Sequence, residues 1–332
     1  MRILINDYAG HPFSLDLAIE ISKENKVIYT YFKNDIGAKG SFKNTKNLKI
    51  FPIEIKAYKK KNFFSRFFYD FLYGIKFYQK VRNLKFDFVL VNNTPINSLL
   101  IILFYCKLKN KKFYFWIQDI YYLAIQSILK KNILNYMICK YFFLLENYIL
   151  KKSNHVITIS EQFKKILVKD KINAKKISVI NNWAPHKIKS IKTIKLKKKL
   201  IKIIYTGTLA FKHDPDFIFE IIKSFSDIAE FDFFCSGTGA DILRLKQKKN
   251  KLENLNLFPL VSDKNYSKIL STADFCLATL DVKSKNEFAV PSKVYSYIAA
   301  LKPIIFIGPK NNSQFKIINK YNLGLAIKSK NI

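Results

Sequence analysis

Residues 188–200 read IKSIKTIKLKKKL, a lysine-dense run without helix caps, Gly or Pro, and it divides a chain of 332 residues into two halves. Both halves carry the same pattern, in which apolar bursts of strand length alternate with segments of helical period, as in parallel α/β sheets. Before the run the expected strands are 2–6, 27–32, 86–91, 112–116, 155–159 and 177–180. After it they are 201–205, 231–235, 254–258, 275–279, 303–307 and 323–327. The reading is α/β, two Rossmann-like doubly wound parallel-sheet domains: 1–187, a linker over 188–200, and 201–332, the last short at its C-terminus. Two such domains facing each other would bring the carboxyl ends of both sheets onto an interdomain cleft, where ligands of these sheets bind.

Composition narrows the function. Apolar residues make up 49% and charged residues 25%, an ordinary globular balance that excludes wholesale disorder. Lys and Arg number 58 against 24 Asp and Glu, a net charge of +34 that draws the chain toward phosphates or anionic headgroups. Arg2, Arg66, Arg82 and Arg244 are the only arginines, which argues against nucleic-acid readout, where bidentate Arg contacts dominate. Cys106, Cys139, Cys235 and Cys276 are widely spaced and form neither a disulfide framework nor a zinc pattern. A strand starting at Arg2 leaves no room for a signal peptide before it, and the apolar stretch 133–150 is broken by Lys140, Glu146 and Asn147, so no membrane span is expected.

The residues that carry chemistry sit at expected strand ends. Tyr8-Ala9-Gly10-His11-Pro12 follows the first strand without the spaced glycines of a dinucleotide fold, yet Gly10 permits close backbone approach to a phosphate. In the second half, Thr206-Gly207-Thr208 and Gly237-Thr238-Gly239 are glycine turns at strand ends, the latter opening a helix whose N–H groups suit an anion. Lys212 lies within reach of the same crevice. Asp214-Pro215-Asp216 reads as a helix start and not as a metal-holding pair. Of the four histidines only His11 opens onto the ligand side. No metal or other cofactor is expected.

The stretch 287–303 reads EFAVPSKVYSYIAALKP: an acidic loop, Pro-Ser-Lys opening a helix, then Lys-Pro leading into an apolar strand. With Asn6-Asp7-Tyr8, Gly10-His11-Pro12-Phe13, Trp116-Ile117-Gln118-Asp119, Ser160-Glu161, Asn181-Asn182-Trp183 and the glycine turns above, it resembles the retaining GT-B glycosyltransferases of the family-4 type. The resemblance is to the branch that builds colanic-acid-like exopolysaccharide and O-antigen. It implies catalytic roles for Glu287, Asp119 and His11, with Glu287 serving the transferred sugar and Asp119 facing acceptor or sugar. It also implies that Gly10, Gly207, Lys212, Gly237, Gly239, Pro291, Ser292, Lys293 and Ser296 bind the donor, the lysines and the Ser292-Lys293 helix start neutralising its diphosphate. Three positions depart from the family pattern: Ser296 replaces a ribose-binding glutamate, Thr208 a basic clamp residue, and Leu301 a turn glycine.

The implied partners are a nucleoside-diphosphate sugar and a polyprenyl-diphosphate-linked or saccharide acceptor, in surface polysaccharide synthesis, with no nucleic acid. A cytoplasmic location, peripheral on the inner face of the plasma membrane, follows. Residues 59–82 repeat Phe63/Phe64, Phe67/Phe68, Phe71/Leu72 and Ile75 every four residues among cations, which suits an interfacial helix on anionic lipid or, equally, a core-facing helix. A degenerate, non-catalytic member of the same fold is the alternative reading.

Overall fold

The computed structural model describes residues 1–35, 39–40, 42–56, 63–129, 132–184, 188, 200–210, 213–261, 263–280 and 288–328. The chain divides into two compact units, Met1–Asn181 and Asn182–Ile332. Most of the expected linker, 189–199, lies outside the described residues.

In the first unit the elements run β1 (Arg2–Asp7), α1 (Pro12–Ile21), β2 (Lys26–Phe32), β3 (Leu48–Ile53), α2 (Phe63–Val81), β4 (Phe88–Asn92), α3 (Ile96–Leu108) and β5 (Lys112–Ile117). They continue with α4 (Tyr121–Ile128), α5 (Ile133–Lys152), β6 (His155–Thr158), α6 (Glu161–Lys169) and β7 (Ile177–Val179). The strands form a seven-stranded sheet ordered β3-β2-β1-β4-β5-β6-β7, every pair of neighbours parallel. Ile5 pairs with Tyr29 on one side and Leu90 on the other, so the strand order reverses between β1 and β4. Central strands such as FVLVN and KFYFWI are nearly continuous apolar runs because helices cover both faces of a parallel sheet.

The expected strands did not include β3. Its run LKIFPI contains Pro52, which lacks the N–H a central strand needs, and the fold tolerates it by putting β3 at the sheet edge. The helix α2 buries Tyr73, Phe77 and Val81, while Phe67, Phe68 and Phe71 stay exposed. Its core face is therefore a different stripe from the expected one; the side chains of Phe63, Phe64 and Arg66 are outside the described residues.

In the second unit come β8 (Ile201–Thr208), α7 (Pro215–Ser224), β9 (Ala229–Ser236), α8 (Thr238–Asn250), β10 (Leu255–Phe258), α9 (Asp263–Ser271) and β11 (Phe275–Thr279). Then follow α10 (Lys293–Ala299), β12 (Ile304–Ile307), α11 (Ser313–Lys320) and β13 (Gly324–Ile327). The six-stranded sheet is ordered β10-β9-β8-β11-β12-β13, again parallel, with its reversal between β8 and β11. Two cores flank it, one around Ile218, Ile222, Phe231 and Leu243, the other around Leu270, Val294, Tyr297 and Ile318. The Lys-Pro signature acts inside the second core: the buried Lys302 ammonium donates to the carbonyls of Ser271 and Ala273, both at 2.9 Å, and so closes the C-terminus of α9.

Candidate functional sites at the two strand-order reversals

In an open parallel sheet the strand-order reversal leaves a crevice at the carboxyl ends of two neighbouring strands. In the second unit this falls at the end of β8. Thr206 is buried; its N–H donates to the Tyr297 hydroxyl at 3.0 Å, and its own hydroxyl lies 2.7 Å from that of Tyr266 and 3.1 Å from that of Tyr297. Ser296 is buried and hydrogen-bonded to Tyr266, so the position expected to meet the donor ribose belongs to this hydroxyl cluster.

The cluster fixes the strand end, and Gly207 then turns with φ +99°, a conformation that favours glycine. Lys293, the first residue of α10, runs beneath that turn. Its Nζ sits 3.4 Å from the centre of the Tyr205 ring, a cation–π contact, and 3.9 Å from where a Cβ on Gly207 would be. With no side chain at Gly207, the buried ammonium lies just beneath the backbone of the turn. The charge is felt at the end of β9, where burial pushes the Cys235 thiol up to about 11 against the pull of Lys293.

Gly237 (φ +107°) precedes α8, and the chain at Leu209 packs directly on that helix start. A Cβ on Gly237 or Gly239 would lie 2.8 or 2.9 Å from the Leu209 carbonyl oxygen. That carbonyl accepts the Gly239 N–H at 2.9 Å, so of the N–H groups at this helix start the one on Gly239 is used within the protein. Pro291 is half-buried and Ser292 exposed at the start of α10. Asp214 caps α7, accepting the Phe217 N–H at 3.1 Å with Pro215 in the first turn, as the helix-start reading requires. Lys212 and Glu287 lie outside the described residues.

In the first unit the loop after β1 is organised by Asp7. Its buried carboxylate accepts the His11 N–H at 2.8 Å, the Tyr29 hydroxyl at 2.9 Å and the Asn93 amide at 3.2 Å. Gly10 (φ +70°) faces the stacked rings of Tyr31 and Phe42, each 3.2 Å from where its Cβ would be, so its space is filled by the chain itself. Beside this loop a cavity of about 220 Å³ opens at the ends of β1, β4 and β5, lined among others by Tyr8, Asn93, Thr94, Gln118, Asp119 and Glu146. Asp119 is among them. His11 is not: it occupies the N-cap position of α1, its ring stacked on Phe13 at 5.5 Å.

Sequence reasoning passes over Glu146 as an interruption of an apolar run. Only 3% exposed, its carboxylate reaches from α5 to the start of α4 and accepts the N–H groups of Tyr121 at 2.9 Å and Tyr122 at 3.1 Å. Burial pushes it up to about 7, the two N–H groups pull it down, and Asp170 and Asp119 add to the rise. The available signal was its spacing: Phe142, Glu146, Ile149 and Leu150 share one helix face, which puts the acid among core residues.

Two doubly wound parallel-sheet units with these reversals define the GT-B fold of glycosyltransferases. No protein-family model matches the sequence, and no curated protein does. Among solved structures, Anabaena HepE in complex with UDP and glucose is 13% identical with a TM-score of 0.69, over 99% of this chain and 86% of that one. Sucrose-phosphate synthase from Thermosynechococcus elongatus is 12% identical with a TM-score of 0.74, over 100% and 86%. The lipopolysaccharide outer core galactosyltransferase WaaB, in its apo form, is 15% identical with a TM-score of 0.58, over 92% and 80%. The likeness is one of fold.

Proposed function

We propose that the protein is a glycosyltransferase that moves a sugar from a nucleoside-diphosphate sugar to a lipid-carrier-linked or saccharide acceptor in surface polysaccharide synthesis. The observation that carries the reading is Lys293 held just beneath the Gly207 turn, at the strand end where ligands of doubly wound sheets bind. A diphosphate resting on that turn meets a fixed positive charge, which stabilises the charge that grows as the glycosidic bond breaks. The UDP and UDP-glucose bound by HepE support a uridine donor. Transfer retains anomeric configuration and needs no metal, because lysines do the cation's work on the leaving group. Glu287 contacts the transferred sugar, and the cavity lined by Asp119 and Glu146 receives the acceptor hydroxyls. The protein works on the inner face of the plasma membrane as a peripheral protein; among the described residues no helix is long and apolar enough to cross a membrane.

The test is a thermal-shift series with UDP, GDP and CDP, followed by transfer from the matching sugar in EDTA. A ligand at 100 times its Kd adds about 2.7 kcal/mol of stability. A shift with UDP and turnover in EDTA are expected; no shift with any nucleotide overturns the reading, and activity that returns only with Mn²⁺ or Mg²⁺ overturns its metal-free mechanism.

A further inference from the structure

The aromatic run of α2 stands out in the sequence, but among the described residues a long exposed apolar face also lies on α5. Leu134, Met137, Tyr141, Leu144 and Tyr148 are all exposed, and their spacing of 3, 4, 3 and 4 residues puts them on one stripe of the helix. At about 1.5 Å per residue the stripe runs roughly 20 Å. The opposite face of α5 is the one that packs, through Phe142, Ile149 and Leu150. The helix α3 packs between α5 and α2; its exposed Phe104 and Leu108 lie level with the exposed Tyr78 of α2, since Tyr105 packs on Tyr78, while the exposed Phe68 and Phe71 lie nearer the start of the helix pair, where Ser98 bonds Asp70.

The charge on these three helices has one sign. Their only acids are Asp70 and Glu146, and both are buried, 8% and 3% exposed. Their cations include Lys76 and Lys80 on α2, Lys107 on α3, and Lys140, Lys151 and Lys152 on α5. Lys107 lies against the stripe, its Nζ 3.3 Å from the Tyr148 hydroxyl and 5.9 Å from the centre of the Phe104 ring. Beside Leu144 and Tyr148 the half-buried Asp170 lies among Lys151, Lys169 and Lys171, so cations outnumber acids there too. Apolar side chains surrounded by lysine stems, on helices with no exposed carboxylate of their own, are the composition of a surface that enters a headgroup layer. A second copy of the chain is a poor occupant, since it brings the same cationic face and a net charge of +34.

We infer that the exposed face of α5, continued by α3 and α2, docks the protein on an anionic lipid bilayer, with Leu134, Met137 and Leu144 entering the acyl boundary. The inference rests on the proposed membrane setting and deepens it. It also explains why a cavity residue sits on this helix: Glu146 faces the cavity while Leu144 and Tyr148 face outward, so a docked α5 holds the cavity at a fixed depth beside the lipid.

The experiment is co-sedimentation with vesicles of neutral phosphatidylcholine alone and with about one-third phosphatidylglycerol, whose anionic headgroups attract surface cations. Wild type is expected to bind the anionic vesicles at least tenfold more tightly than the neutral ones. The triple variant Leu134→Ser, Met137→Ser, Leu144→Ser is expected to lose at least tenfold of that binding, with its melting temperature and UDP affinity unchanged. The emission that Tyr141→Trp adds to that of wild type is expected to shift to the blue on anionic vesicles, a readout that needs no loss of side chains. Equal binding to both vesicle types, a triple variant that binds like wild type, an unshifted added emission in the Tyr141→Trp variant, or a wild-type dimer in solution that the triple variant dissociates would each overturn the inference. Failure to bind any nucleotide, with vesicle binding intact, would count against the transferase reading alone.

Discussion

The ammonium of Lys293 rests 3.4 Å from the centre of the Tyr205 ring, directly below the turn at Gly207. The uncharged ring holds the cation just beneath the turn at which a phosphate would arrive. Lys293→Met keeps much of the apolar stem and removes the charge. Its affinity for UDP, measured by calorimetry, is expected to fall about 10- to 100-fold, the range of a charge-assisted hydrogen bond of about 1.5–3 kcal/mol. Unchanged affinity would show that the ammonium serves the Tyr205 packing only.

Glu146 makes stability depend on pH. Its carboxyl is raised in the folded protein from 4.5 to about 7, so between those values the folded state holds a proton that the unfolded chain has released. That contribution is fully present below about pH 4.5 and is lost as pH rises through about 7; at 1.36 kcal/mol per unit it amounts to roughly 3 kcal/mol. Glu146→Gln cannot titrate. The stability of wild type relative to this variant, from urea melts, is expected to be greater at pH 5 than at pH 8, and a constant difference would mean that Glu146 titrates as an ordinary carboxylate.

Both sheets were legible in the sequence because buried parallel strands leave unbroken apolar runs, while β3 escaped because Pro52 breaks the run and only an edge position admits it. The Gly207 turn and Lys293 were legible as types at strand ends. Their placement, the ammonium turned inward onto Tyr205, depends on a tertiary contact between β8 and α10 that no local pattern encodes. At Gly239 the sequence leaves two uses open, since a glycine at a helix start can serve a ligand or a neighbouring backbone, and here Leu209 takes the N–H. Glu146 was hidden for the converse reason: its partners are backbone groups of another helix, which leave no side-chain signature.

Leu301 ends α10 in the left-handed region, φ +53°, with the Lys302 N–H donating to the Tyr297 carbonyl at 3.0 Å, the bond of a glycine-type helix stop. A leucine there is strained by about 1 kcal/mol or somewhat more, and at 76% exposure its side chain contributes little burial in return. Leu301→Gly is expected to raise the melting temperature of the second unit by about 2–4 °C in calorimetry. A drop would mean that the added freedom of the unfolded chain outweighs the relieved strain.

Asp119 and Lys293 belong to different units, and their variants should fail in different ways. Asp119 is exposed, lines the first unit's cavity, and adds its charge to the rise of Glu146. If the cavity receives acceptor hydroxyls, Asp119→Asn removes an acceptor of their hydrogen bonds and leaves the Gly207 turn untouched. Turnover at subsaturating acceptor is then expected to fall at least tenfold, with UDP affinity unchanged. The same substitution removes a like charge near Glu146, so if that carboxyl also sets the acid limb of the pH–rate profile, the limb is expected to move to lower pH. Lys293→Met should do the reverse, weakening UDP while leaving the acid limb in place. As a solvated loop group, Asp119 would instead change stability by less than about 0.5 kcal/mol and leave activity intact. Steady-state kinetics of both variants across pH 5 to 8, alongside UDP calorimetry, separates these outcomes, and an Asp119→Asn enzyme with weakened UDP binding would mean that the donor and not the acceptor occupies the first unit's cavity.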